Sequence, residues 1–227
     1  MTAQTKPIKR TSTKRLPSKS YHHGDLHREI LLAARKLLEE NNISSLSLRE
    51  VAKKVGVSHT APYRHFKDKE SLLAGIAGLG FNELTEQMKE VAELHPDPSA
   101  QLQEAGQRYI QLAIKNPQCI QLMFGGILPG DDTYPMLRES GDMAFNALKT
   151  IIAKGQALGV FKKGNIELLA LTAWSGIHGL SLLFISGSVT QAISTSTSKS
   201  KPKSTSLEIP FLTNAVTEML INGLKAD

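Results

Sequence analysis

Apolar residues at Leu26, Ile30, Ala33, Ala34, Leu37 and Leu38 recur with the i, i+4, i+7, i+8 spacing of one helical face. Asp25 stands where an N-cap belongs, and Asn41 and Asn42 end the pattern. The next stretch, "SLREVAKKVG", begins at Ser47 with Glu50 three residues on, the spacing of a capping box. Its apolar stripe is Leu48, Val51, Ala52 and Val55, and Gly56 closes it. Ser58 is placed to cap a third helix through "VSHTAPYRHF". Asp68 then opens a long helix through Leu72, Leu73, Ile76, Leu79, Leu84 and Met88 to about Leu94.

Asp97-Pro98 and Asn116-Pro117 each read as a cap followed by a first-turn proline, so two more helices start there. "GGILPGDD" is a loop, and further helices run from about Pro135 to Leu158 and from about Asn165 to Ser186. Residues 187–206, rich in Ser, Thr and Lys, predict a mobile loop before a last amphipathic helix with Phe211, Leu212, Val216, Met219, Leu220 and Leu224. No stretch alternates like a strand, and no internal repeat is present. The pattern predicts an all-α fold of about nine helices. It divides into an arm at 1–20, a three-helix unit at 21–70 and a helical remainder at 71–227.

Charge adds the arm. The chain carries a net charge of +6. Lys6, Lys9, Arg10, Lys14, Arg15 and Lys19 stand in the first twenty residues with no acid among them, leaving the remainder neutral. Such a segment cannot bury enough apolar surface to order itself. It is either a solubilising tail or a polycation that follows a phosphate backbone. It lacks the amphipathic face of a transit peptide, and no secretory apolar core follows. The single cysteine, Cys119, excludes an internal disulfide and fits a reducing cytoplasm. The 18 residues from Leu168 to Ile185 carry no formal charge, barely enough to span a membrane. With Thr172, Ser175, His178 and two glycines inside it, this segment is expected to be a helix buried on every side in a core or subunit interface.

Catalytic chemistry finds little support. There is no nucleophile and base at recognisable spacing and no phosphate-binding loop, so the chain reads as a non-enzyme that needs no cofactor. His22, His23, Asp25 and His27 could ligate zinc, but they lack the i, i+4 pairing of a helical site and no cysteine follows nearby. The expectation is no metal.

The two short helices joined at Gly56 make a helix-turn-helix, with Val51, Val55, Val57 and Phe66 sealing the pair. Its second helix would project His59, Thr60, Tyr63 and Arg64, with His65 beside them, towards a DNA major groove about 12 Å wide. From about Tyr21 to Leu73, and most specifically at "YRHFKDKE", the sequence resembles the tetracycline-repressor (TetR) family of bacterial transcription regulators. "YHHGDL" and "AWSGIHG" further resemble a subgroup named for a Trp-His-Gly signature. The resemblance implies base contacts by Arg49, His59 and Thr60, a phosphate contact by Tyr63, and backbone contacts by Ser47 and Lys69. His22 and His23 would then lie near phosphate or minor groove. Pro62 replaces the usual leucine before the tyrosine and puts the regularity of the third helix in question.

The resemblance also implies a small-molecule cavity in the C-terminal helices. Its candidate lining is Phe81, Met88, Tyr109, Met123, Phe124, Met143, Trp174 and His178, which suggests an apolar or amphipathic effector. Trp174 and His178 are i, i+4 and share a face with Leu171, Leu182 and Ile185, where an imidazole needs a partner. That partner is either another core group or the effector. Thr172, Ser175, Gly176 and Gly179 are small residues on the opposite face, suited to a four-helix homodimer interface made with the last helix. The implied protein is a cytoplasmic repressor, bound to a palindromic DNA operator and released by its effector. A redox regulator acting through Cys119 and a sequence-tolerant architectural DNA binder are the alternatives.

Overall fold

The computed structural model describes residues 26–129, 133–189 and 205–226. Among them are eight α-helices: α1 (Leu26–Glu40), α2 (Leu48–Val55), α3 (Lys69–Leu94), α4 (Pro98–Lys115), α5 (Pro117–Phe124), α6 (Pro135–Ala157), α7 (Ile166–Ile185) and α8 (Thr205–Leu224). A 3-10 turn occupies Pro62–Arg64, and a lone β-bridge joins Phe161 to Lys225. The basic arm, His22, His23, Asp25 and residues 190–204 lie outside the described residues. Thr205 and Ser206 already belong to α8, so the loop expected at 187–206 ends sooner.

The predicted third α-helix is instead this short 3-10 turn. Pro62 has no N–H to offer the Ser58 carbonyl, and the Ala61 N–H takes that acceptor at 3.0 Å. Arg64 and His65 also bond three residues back, to Ala61 and Pro62, which is the 3-10 pattern. Ser58 does not cap a helix; its hydroxyl pairs with that of Thr60 at 3.2 Å. The turn before it is built at Gly56, whose φ of 80° is left-handed. The Gly56 N–H reaches Lys53 and the Val57 N–H reaches Ala52, a Schellman closure of α2.

Caps explain most other boundaries. Ser47 Oγ accepts the Glu50 N–H at 3.3 Å, but Glu50 returns its carboxylate to the Ser47 hydroxyl rather than to the backbone, so half of the capping box forms. Asp68 and Ser71 make a complete reciprocal box at α3. Asp97 caps α4 and Asn165 caps α7. Asn116 does not cap α5: its side-chain N–H turns back to the Leu112 carbonyl at 3.1 Å and finishes α4 instead.

Three cores result. Ile30, Leu38, Val51, Phe66 and Ile76 pack around α1–α3, and α5 adds Cys119 and Leu122 to the same cluster. The other two lie within the bundle of α3, α4, α6, α7 and α8, with Ile120 of α5 joining one of them. Helix α7 is long and apolar enough to cross a membrane, yet it packs against α4, α6 and α8. It is not buried on every side. Ala170, Ala173, Ile177 and Ser181 face inward, while Leu168, Leu171, Leu182 and Leu183 are exposed. Gly176 belongs to the intramolecular contact, since a Cβ there would stand 2.8 Å from Leu220 of α8.

Candidate nucleic-acid interface and effector chamber

Packing of the N-terminal helices buries Leu48, Val51, Ala52, Pro62 and Phe66. That leaves Arg49, His59, Thr60, Tyr63, Arg64 and His65 exposed. Tyr63 keeps half its surface accessible although it is a large aromatic, and a group held out in this way is available to a partner. Ser47 is half-buried by its cap. Lys69 is half-buried too, its ammonium donating to the Ser44 carbonyl at 2.8 Å, which ties α3 to the turn after α1. A Lys54–Glu40 ion pair at 2.8 Å closes α2 onto α1. His27 stacks on Phe66 with centroids 4.8 Å apart and meets the edge of His65 at 5.8 Å. Burial, and then the charge of His65, hold its pKa below the usual histidine value.

A second site lies in the bundle. Phe81, Leu84 and Met88 of α3, Tyr109 of α4, Phe124 of α5 and Trp174 of α7 meet α6 around a void of about 100 Å³. An adjoining void of about 40 Å³ extends from Met88, Tyr109 and Trp174 towards Thr217 and Leu220 of α8. Phe124 sets its ring edge-on to Phe81 at 5.2 Å and tilted to Trp174 at 5.4 Å. Both voids are lined almost wholly by apolar groups, an environment that excludes water and accepts hydrocarbon.

The polar exception is paired. Tyr109 Oη lies 2.7 Å from His178 Nδ1. Burial pushes the phenol pKa up, with the Trp174 indole acting in the opposite direction, so the phenol keeps its proton. Burial also lowers the pKa of His178, which favours the neutral ring. A neutral phenol and a neutral imidazole are thus joined by one hydrogen bond. Phe124 covers the same ring at 4.8 Å.

Of the predicted lining, Phe81, Met88, Tyr109, Phe124 and Trp174 surround the chamber, and His178 backs it through Tyr109. Met123 and Met143 stand elsewhere. Met123 packs its sulfur 3.9 Å from Cys119, and Met143 is exposed on a surface groove. Leu171, Leu182 and Ile185 are exposed rather than buried with Trp174. Phe145 and Leu148 of α6 also line the chamber, and their i, i+3 spacing reads from sequence only as core. Cys119 is a poor redox sensor: it is buried, and burial pushes its thiol up to about 11, far from the thiolate that reacts. No cluster of metal-ligating side chains occurs among the described residues.

Comparison with known proteins places both sites in one context. Residues 30–76 match the family model described as bacterial regulatory proteins, tetR family. Residues 102–200 match a tetracyclin repressor-like C-terminal domain. The chain is 36% identical over 81 residues to the HTH-type transcriptional regulator AcrR of Shigella flexneri, covering 35% of this chain and 38% of that one. It is 25% identical over 135 residues to the nucleoid occlusion factor SlmA of Marinobacter nauticus, covering 60% of this chain and 68% of that one. A Rhodococcus sp. RHA1 protein of unknown function shares the fold with a TM-score of 0.73 and 27% identity, over 92% of this chain and all of the other. FadR of Bacillus subtilis, solved with stearoyl-CoA, superposes with a TM-score of 0.65 at 18% identity, over 87% of this chain and 99% of the other. With its N-terminal helix-turn-helix and its C-terminal helical domain both matched, the chain belongs to the tetR family of bacterial regulatory proteins, transcription regulators that bind DNA.

Proposed function

We propose that this chain is a cytoplasmic homodimeric repressor that holds a palindromic operator and releases it when a small apolar or amphipathic molecule enters the aromatic chamber. Arg49, His59 and Thr60 read base edges, while Ser47, Tyr63, Arg64, His65 and Lys69 meet the backbone around them. Trp174, His178 and Gly179 support membership of the Trp-His-Gly subgroup. The observation that carries this reading is the double attachment of α5. Its last residue, Phe124, walls the chamber, while Cys119 and Leu122 pack in the core of the DNA-binding helices. At its start, Gln118 donates to the Asn41 carbonyl at the end of α1. A ligand that displaces Phe124 therefore pushes on the element that supports the helix-turn-helix.

Dimerisation through α7 and α8 is supported by Leu171, Leu182, Phe211 and Met219, which leave apolar surface exposed on the single chain. Two helix-turn-helix units must sit about 34 Å apart to read successive major grooves, so a ligand needs only to favour a differently spaced state.

The test fills the chamber. Ala144→Phe, at a buried lining position, should keep operator binding and lose ligand-induced release. Release that persists in this variant would remove the chamber from the mechanism. A role in nucleoid occlusion is the second reading, favoured by relatives named nucleoid occlusion factors in Marinobacter nauticus and Vibrio cholerae.

A further inference from the structure

The chamber has a neighbour with different chemistry. Between α3 and α6 runs an open groove of about 350 Å³, its floor built partly from Ile151 and Ala147. Lys89 lies on the α3 wall and Lys154 on the α6 wall. Lys89 pairs with Glu86 at 2.7 Å on the exposed side. Lys154 is half-buried, and its side chain has no ion pair or hydrogen bond among the described residues. Gln101 of α4 also lines the groove and is fully buried. Its amide N–H groups are spent on the Ala92 and His95 carbonyls, while its Oε1 accepts nothing among the described residues.

A buried acceptor without a donor is costly, and an ammonium on the groove wall without an acidic partner is open to an anion. A ligand that supplies both an anion and a hydrogen-bond donor answers both. Only Met88 lines the groove and both apolar voids. Its unbranched thioether can swing aside without breaking a hydrogen bond. The voids are far smaller than the roughly 300 Å³ or more of an ordinary ligand site, so an occupant must move a wall, and Met88 is the wall that opens onto the groove.

We propose that the α3–α6 groove holds the anionic head of an amphipathic effector whose hydrocarbon tail passes Met88 into the aromatic chamber. Lys89 and Lys154 neutralise the head, and Gln101 Oε1 accepts from a hydroxyl beside it. This rests on the chamber being the effector site, and it adds the class of molecule and the way it enters.

Trp174 is the sole tryptophan of the chain, so its fluorescence reports tail insertion directly. The full-length protein is titrated with 3-hydroxydodecanoate, dodecanoate and dodecanol, each below its micelle-forming concentration. The same titrations are run on Lys89→Gln/Lys154→Gln, whose fold is checked by thermal melting. The expected affinity order is hydroxy acid, acid, alcohol. The double variant should lose about tenfold or more for both acids, the cost of charge-assisted hydrogen bonds, and nothing for the alcohol. Equal acid binding by wild type and variant overturns the head-group site while leaving the chamber reading intact, as does a response to dodecanol alone. Silence of Trp174 towards all three overturns both.

Discussion

Tyr109 Oη stands 2.7 Å from His178 Nδ1 and so joins α4 to α7 at the back of the aromatic chamber. The two residues are 69 positions apart, and the Trp174 indole also acts on the Tyr109 phenol. Replacing Tyr109 by Phe keeps the ring and strands the imidazole. The expected loss of stability is about 1–2 kcal/mol, read from urea denaturation. An unchanged midpoint would mean that His178 finds its partner in solvent.

Histidine burial sets a pH dependence. His27 and His178 both have pKa values held below the ordinary histidine value of about 6.5, chiefly by burial. The unfolded chain therefore binds protons first as pH falls. The stability due to neutral histidines is present above about pH 6.5 and is lost progressively below it. Melting temperature should fall between pH 7.5 and 5.5, and the fall should be shallower in His178→Gln. An equal fall in that variant would assign the dependence to other groups.

The exposed stripe of α7 predicts the assembly. Leu171→Glu combined with Leu182→Glu places two charges where nearly half of each leucine is exposed on the single chain. The variant should keep its helical content, sediment as a monomer where the wild type sediments as a dimer, and bind DNA more weakly. A variant that remains dimeric would move the interface to another face.

How much of this was legible depended on the distance over which each feature is determined. The caps at Asp68 and Asp97 were readable because cap and recipient lie two or three residues apart. Asn116 shows the limit even of local rules: its amide can serve either the helix it ends or the helix it begins, and it serves α4. Pro62 signalled trouble in the third helix, but a missing N–H does not by itself say that the segment will tighten into a 3-10 turn. The chamber was harder. Met88 and Met143 give the same signal in sequence, and helix rotation alone puts one inside and the other in solvent. The partner of His178 could not be named, because nothing near it in the chain points to Tyr109. The outward leucines of α7 read as buried because sequence shows that a residue is apolar and not which way its helix is turned.

The central claim is that the helix-turn-helix, and not general affinity for polyanions, holds the DNA. It is tested most directly by binding to the DNA beside the protein's own gene in about 150 mM salt with excess unrelated competitor, comparing wild type with Arg49→Ala. A site-specific regulator gives wild-type binding that survives competitor and a loss of about 1–3 kcal/mol in the variant. Binding that disappears under competitor in both proteins would contradict it.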